Sequence, residues 1–137
     1  MTRPCYSDVV GLTPVVRELA AAVRQGHPVL LQGHAGCGST MLAARVVTLL
    51  PALDGPARDL VEAIYTAIPM DPPKHRPFRA PHHTVSYAGL INPYGEVDLA
   101  RYGVLYFDEA LEFRRSIMEE MRHYLRSGID DRSTPLA

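Results

Sequence analysis

Cysteine is scarce in this sequence, and the two that occur, Cys5 and Cys37, lie far apart in a chain of 137 residues. Neither belongs to the CxxC or Cys/His spacings of zinc sites, so two free thiols in a reducing compartment are favoured over a disulfide. Long apolar runs are missing too, because no segment approaches the ~18 residues that a membrane-spanning helix needs. The start of the chain, MTRPCYSDVVG, lacks the apolar core of a signal peptide. These absences predict a cytoplasmic protein with no membrane segment.

Lysine is nearly absent as well, since Lys74 is the only one and arginine supplies almost all of the basic charge. The sequence has fourteen lysine and arginine residues and fifteen aspartate and glutamate residues, which gives a formal net charge of -1. A balanced charge gives no excess of positive charge that would attract nucleic acid or a membrane surface, so DNA binding is possible but unsupported by charge. The hydrophobic fraction of 47% and the chain length suit one soluble globular domain.

Apolar periodicity predicts alternating helices and strands along the chain. The first helix has Thr13 as its predicted N-cap and Pro14 at its first position. Residues 69–95, which are rich in proline and histidine, are predicted to form a long irregular loop. The predicted order is a helix in 12–26, a buried strand in 27–33, helices in 39–50 and 56–68, a second strand in 101–110 and a final helix in 114–128. This alternation predicts an α/β fold with a mostly parallel sheet.

A glycine-rich stretch, GHAGCGST, joins the first predicted strand to the following helix. It matches the phosphate-loop pattern G-x-x-x-x-G-K-[ST] except that Ser39 stands in place of the lysine. Backbone N–H groups in such a loop, together with the positive end of the helix, bind phosphate without any side chain. The Thr40 hydroxyl is placed to ligate Mg²⁺. The candidate nucleotide-binding residues are Gly33, His34, Ala35, Gly36, Cys37, Gly38, Ser39 and Thr40.

The second predicted strand, VLYFDE, has four apolar residues followed by two carboxylates. Ligands bind at the carboxyl ends of strands in open α/β sheets, which is where these acids are predicted to lie. Asp108 would hold Mg²⁺ and Glu109 would polarise an attacking water as the catalytic base. An exposed acidic strand end without function is the alternative.

Four segments, in order, carry a resemblance to the magnesium-chelatase-like AAA+ ATPases, in particular to their competence-linked helicase branch. They are residues 6–36, 40–53, 76–91 (RPFRAPHHTVSYAGLI, the most specific) and 95–113. The resemblance implies a partial AAA+ P-loop NTPase core in residues 1–128, followed by a polar tail in 129–137. It also implies ATP and Mg²⁺ as ligands, Val10 and Gly11 near the adenine, and homo- or hetero-oligomers with AAA+ relatives.

The sequence departs from that family in the missing lysine, and it stops before the sensor 1 strand, the arginine finger and the lid domain. We therefore expect a truncated core in which the phosphate-loop strand and the Asp-Glu strand lack a shared neighbour and expose unpaired edges. Three alternatives stay open: a nucleotide-binding domain with weak binding and impaired hydrolysis, a pseudo-ATPase subunit of a ring assembly, and a nonfunctional gene remnant. For His75, His82 and His83, a surface loop is favoured over a metal site.

Overall fold

The computed structural model describes residues 5–127. Within them the chain forms six α-helices, two short β-strands and three single turns of 3₁₀ helix. The helices are α1 (Thr13–Arg24), α2 (Ser39–Arg45), α3 (Gly55–Thr66), α4 (Tyr87–Ile91), α5 (Glu96–Leu99) and α6 (Arg115–Ser127), and the strands are β1 (Phe78–Arg79) and β2 (Val104–Leu105). The predicted stop at Gly128 and the tail in 129–137 lie outside the described residues.

Four of the six helices, α1, α2, α3 and α6, follow predicted helical segments closely, with small differences at their ends, whereas α4 and α5 were not predicted. Leu12, rather than the predicted Thr13, occupies the N-cap of α1, with a left-handed φ of 55° and no side-chain cap. The predicted helix in 39–50 tightens after α2 into a 3₁₀ turn, Val46–Leu49. Helix termini often tighten in this way because 3₁₀ bonds satisfy groups that an α-helix leaves unpaired.

Three apolar clusters form the core. Leu19 of α1 packs with Leu42 and Val46, so the first cluster joins α1 to the chain after the glycine loop. The second cluster joins α4 to α6, and the third joins α3 to α5. The second cluster consists of Leu90, Ile91, Phe113, Ile117 and Met121. The third cluster consists of Val61, Tyr65 and Leu99.

The sheet of the described residues consists of β1 and β2, paired in parallel with Phe78 opposite Val104. A Cβ on Gly103 would collide with the backbone of Pro77, so glycine permits the close approach of the two strands at this point. The prediction of an irregular loop for 69–95 is therefore wrong in part, because this segment contains β1 and α4. A strand of two residues is too short to show an alternating pattern.

The predicted buried strand in 27–33 is wrong for the described part of the chain, where this segment forms no strand. The exposed fractions of Val29 and Leu30 are 42% and 80%. Leu31 packs against the Leu19 cluster, and so does Val104 of β2. Among the described residues no neighbouring strand offers the segment a hydrogen-bonding partner, and Val29 and Leu30 stay at the surface.

An ion pair fixes β1 against α5. The Arg79 guanidinium donates from Nε and Nη2 to the two carboxylate oxygens of Glu96, at 2.7 and 2.8 Å. Such a bidentate pair restricts orientation as well as distance. The ion pair thereby holds the carboxyl end of β1, from which the chain continues into residues 80–83, against α5.

In residues 5–127, no helix is long and apolar enough to cross a membrane.

Candidate functional site

The glycine-rich loop is an exposed pair of turns that leads into α2. Gly36 and Gly38 have φ values of 81° and 90°, in the left-handed region that glycine adopts without a steric penalty. Gly38 is the N-cap of α2, and the Cys37 N–H donates to the His34 carbonyl at 3.0 Å. A Cβ on Gly33 would collide with Cys37 Sγ. The glycines therefore define a loop that is open to solvent.

Thr40, in the first turn of α2, lies beside the acidic end of β2. Its hydroxyl donates to Asp108 Oδ2 at 3.5 Å, at the long limit of a hydrogen bond. The other carboxylate oxygen of Asp108 accepts from the Tyr106 hydroxyl at 3.0 Å and from the Glu109 N–H at 3.1 Å. The fold thus joins two predicted site residues that are 68 positions apart in sequence.

A cavity of about 310 Å³ opens in front of these groups. We call it the acidic cavity. It lies between the start of α2, the carboxyl ends of β1 and β2, and the segment that follows β1. Its lining consists of Thr40, Ala44, Phe78, Ala80, Pro81, His82, His83, Tyr106, Asp108 and Glu109. Its size falls at the lower end of the range typical of small-molecule sites.

Two histidines in this lining were interpreted from the sequence as part of a surface loop. His82 Nδ1 accepts from the Thr84 backbone nitrogen at 3.3 Å and lies 2.9 Å from the Thr84 hydroxyl, so Thr84 orients the ring. His83 packs edge to face on Phe113, with ring centroids 6.4 Å apart. In the sequence, the two histidines stood out only as part of the family-specific segment RPFRAPHH. That segment did not indicate where their rings would lie.

Tyr106 is a further lining residue that the sequence did not single out. Burial raises the pKa of its phenol above the ordinary value, a hydrogen bond with Thr40 lowers it, and the Asp108 carboxylate raises it again. The phenol therefore stays protonated at neutral pH and donates to Asp108. This interaction holds the carboxylate in position beside Thr40.

The structure brings only some of the predicted site residues together. Thr40, Asp108 and Glu109 all line the acidic cavity, and the backbone of Glu109 has a left-handed φ of 50°. Strained backbone of this kind is common at functional sites. The loop residues 33–39 lie outside the cavity lining. Val10, predicted near an adenine, has an exposed fraction of 97%, and Gly11 is also exposed.

The oxygen donors fit Mg²⁺ in type, because a hydroxyl and a carboxylate are hard ligands that this cation prefers. Within residues 5–127, no group of three or more His, Cys, Asp or Glu side chains is placed to hold a metal ion by itself. A cation at Thr40 and Asp108 would therefore need further ligands from water or a bound phosphate, which is how Mg²⁺ is usually held. The low number of protein ligands is consistent with such a site.

A glycine loop that runs into a helix, with a helix hydroxyl beside an aspartate that follows a parallel strand, matches part of the arrangement of the P-loop nucleoside triphosphatases. The comparison with protein families gives a narrower assignment. The family described as "Magnesium chelatase, subunit ChlI" matches residues 5–129, and the chain belongs to this family of AAA+ ATPase-type domains.

Curated relatives agree with this assignment. "Competence protein ComM" of Haemophilus influenzae is 38% identical over 136 aligned residues, which cover 89% of this chain and 26% of that protein. Protein YifB of Escherichia coli is 37% identical over the same shares of both chains. Protein Rv2897c of Mycobacterium tuberculosis is 37% identical, again across 89% of this chain and 26% of its own length. The chain spans about a quarter of the length of these relatives.

Proposed function

We propose that the chain is a nucleotide-binding AAA+ domain that binds ATP together with Mg²⁺ weakly and hydrolyses it poorly. The proximity of Thr40 and Asp108, 3.5 Å apart, is the observation that carries this proposal. This contact places the first turn of α2, which follows the glycine loop, beside the acidic end of β2. Binding of a metal–nucleotide complex requires groups from both. Membership of an AAA+ ATPase family supports the same function.

Each part of the site has a role in this proposal. The backbone N–H groups of residues 33–36, 38 and 39 would contact the phosphates, whereas the Cys37 N–H already donates to the His34 carbonyl. Thr40 and Asp108 would hold Mg²⁺, which supplies positive charge beside the phosphate oxygens. Glu109, which lines the same cavity as Asp108, would accept a proton from the attacking water.

Ser39 is the reason to expect weak function. A charge-assisted hydrogen bond contributes about 1.5–3 kcal/mol, so the missing lysine weakens binding about 10- to 150-fold. Loss of one donor to developing charge lowers a rate by about 10²–10³. No lysine or arginine lines the acidic cavity within the described part of the chain, so none replaces it there.

A calorimetric titration with Mg²⁺ and a non-hydrolysable ATP analogue tests the proposal. We expect saturable binding that is weakened by Thr40→Val, which removes the hydroxyl but keeps the shape of the side chain. Thr66→Val is the matched control, because its hydroxyl bonds within α3 to the Glu62 carbonyl, away from the acidic cavity. If neither the wild-type protein nor Ser39→Lys binds the analogue, the proposed function is wrong.

A second candidate function is that of a non-hydrolysing subunit in an assembly of AAA+ relatives. The observation that favours it is the exposed apolar segment around Val29 and Leu30, since an unpaired apolar edge is a surface for another strand. Size-exclusion chromatography with an intact family member tests it directly. Co-elution that Leu30→Lys abolishes would support the assembly role, and separate elution would exclude it for that relative.

A further inference from the structure

A second cavity, of about 360 Å³, has a lining of opposite charge to the first. Three cationic side chains, Arg58, Lys74 and Arg76, line it together with His75, and no acidic residue of the described chain does so. We call it the basic cavity. The chain as a whole has a net charge of -1, so this concentration of cations is local. Lys74 is the single lysine of the sequence.

The basic cavity lies at the opposite end of the elements that form the acidic cavity. Residues 74–76 precede β1, whereas His82 and His83 of the acidic cavity follow it. Residues 50–53 of the basic cavity come after α2, whereas Thr40 is in its first turn. No residue in the described range 5–127 lines both cavities, so the basic cavity is separate from the acidic cavity.

Two of the three cationic side chains, Arg58 and Arg76, are held in place by the backbone. Arg76 donates from Nε to the Pro51 carbonyl and from Nη1 to the Tyr102 carbonyl, at 2.6 Å in each case. Arg58 donates from Nη1 to the Lys74 carbonyl at 3.1 Å. A guanidinium that is already positioned loses little conformational entropy when it binds an anion.

The charges of this cluster are only partly neutralised. Glu62 pairs with Arg58 at 2.6 Å. Among the described residues, no carboxylate lies within 4.0 Å of Lys74, His75 or Arg76. Like charges gathered at one cavity repel each other, and a bound anion removes that repulsion. A group with two negative charges is favoured over one with a single charge for the same reason.

We propose that the basic cavity is a binding site for a phosphate group, separate from the nucleotide site. Arginine forks and a lysine ammonium are the side chains that recognise phosphate most often. The phosphate could be free or part of a nucleic acid strand, and both sources present the same chemistry to these residues. The proposal does not depend on the function assigned to the acidic cavity.

A ¹⁵N–¹H NMR titration of the full chain with inorganic pyrophosphate, at constant ionic strength, tests this site. Residue-specific shifts separate it from the glycine loop, which also binds phosphates in the function proposed above. We expect saturable shifts in residues 50, 52, 53 and 74–76, and Lys74→Gln should weaken this binding roughly fivefold or more. Arg122→Gln, an exposed change of equal charge on α6, is the control and should leave it unchanged.

Lys74→Gln is suited to this test because its side chain makes no hydrogen bond within the described residues, and the spectrum itself reports whether the variant is folded. A second titration with a single-stranded oligonucleotide identifies the source of the phosphate. Competition between the oligonucleotide and pyrophosphate for 74–76 would show that the site takes a phosphodiester strand. Shifts confined to 33–40, shifts that do not saturate, or equal binding by Lys74→Gln would overturn the proposal.

Discussion

Placing a lysine at position 39 is the sharpest test of how this site differs from a complete phosphate loop. Thr40, Asp108 and Glu109 are all exposed, so charges in the site are screened by water. The gain from one charge-assisted hydrogen bond should therefore lie at the low end of its range, about 1.5 kcal/mol. Ser39→Lys is expected to tighten binding of the Mg²⁺–nucleotide complex about tenfold.

The assay is calorimetric titration of the two proteins with a non-hydrolysable ATP analogue at physiological ionic strength. His34→Lys is the matched control, because it adds the same charge to the same exposed loop at a position that the phosphate-loop pattern leaves variable. A specific contact at position 39 predicts a gain for Ser39→Lys that His34→Lys does not share. The gain should also persist when the salt concentration is raised, since a direct contact is screened less than a distant charge.

Two results would refute this reasoning. Equal gains from the two lysines would mean that the loop responds only to net charge and does not cradle phosphate in the expected geometry. A wild-type protein that binds, combined with no gain from Ser39→Lys, would mean that phosphate lies away from the start of α2. In either case the acidic cavity would still need an account of why Thr40 and Asp108 lie together.

Three further predictions address the site and the core. Chelation of Mg²⁺ should abolish nucleotide binding to the wild-type protein in the same titration but only weaken it in Ser39→Lys, because the added lysine supplies a positive charge. Leu90→Ala should lower the free energy of unfolding in urea by about 2–5 kcal/mol, since Leu90 has an exposed fraction of 0%. Tyr6 donates to the Leu42 carbonyl at 2.6 Å, and burial raises its pKa to about 12. Its stabilising effect is therefore complete below about pH 10 and is lost as the pH rises toward 12, so Tyr6→Phe should be less sensitive to alkaline unfolding over that range.

The helices and the acidic pair could be predicted because their signals are local. The segment that forms α3 has apolar residues at helical spacing, and that pattern predicts a helix whatever surrounds it. Asp108 and Glu109 follow directly after an apolar run. Since the carboxyl ends of parallel strands meet at one edge of a sheet, their position near Thr40 followed from the fold class.

The errors concern features that depend on distant neighbours. The apolar run in 27–33 has the composition of a buried strand, but burial requires a partner strand, and none lies beside it among the described residues. Conversely, β1 has only two residues, and its pairing with β2 depends on Gly103 allowing the backbone of Pro77 to approach. The location of His82 in the acidic cavity follows from that pairing, so periodicity in the sequence could not reveal it.

The charges of the acidic cavity explain why one residue has so much influence on the proposed function. Asp108 and Glu109 contribute two carboxylates, and among residues 5–127 no lysine or arginine lines the cavity beside them. A nucleotide brings further negative charge, so its terminal phosphate would be repelled unless a cation lies between them. In a complete phosphate loop, lysine and Mg²⁺ share this task. With serine at position 39 the proposed function assigns this task to the metal alone, so the proposed binding of nucleotide would depend on the 3.5 Å proximity of Thr40 and Asp108.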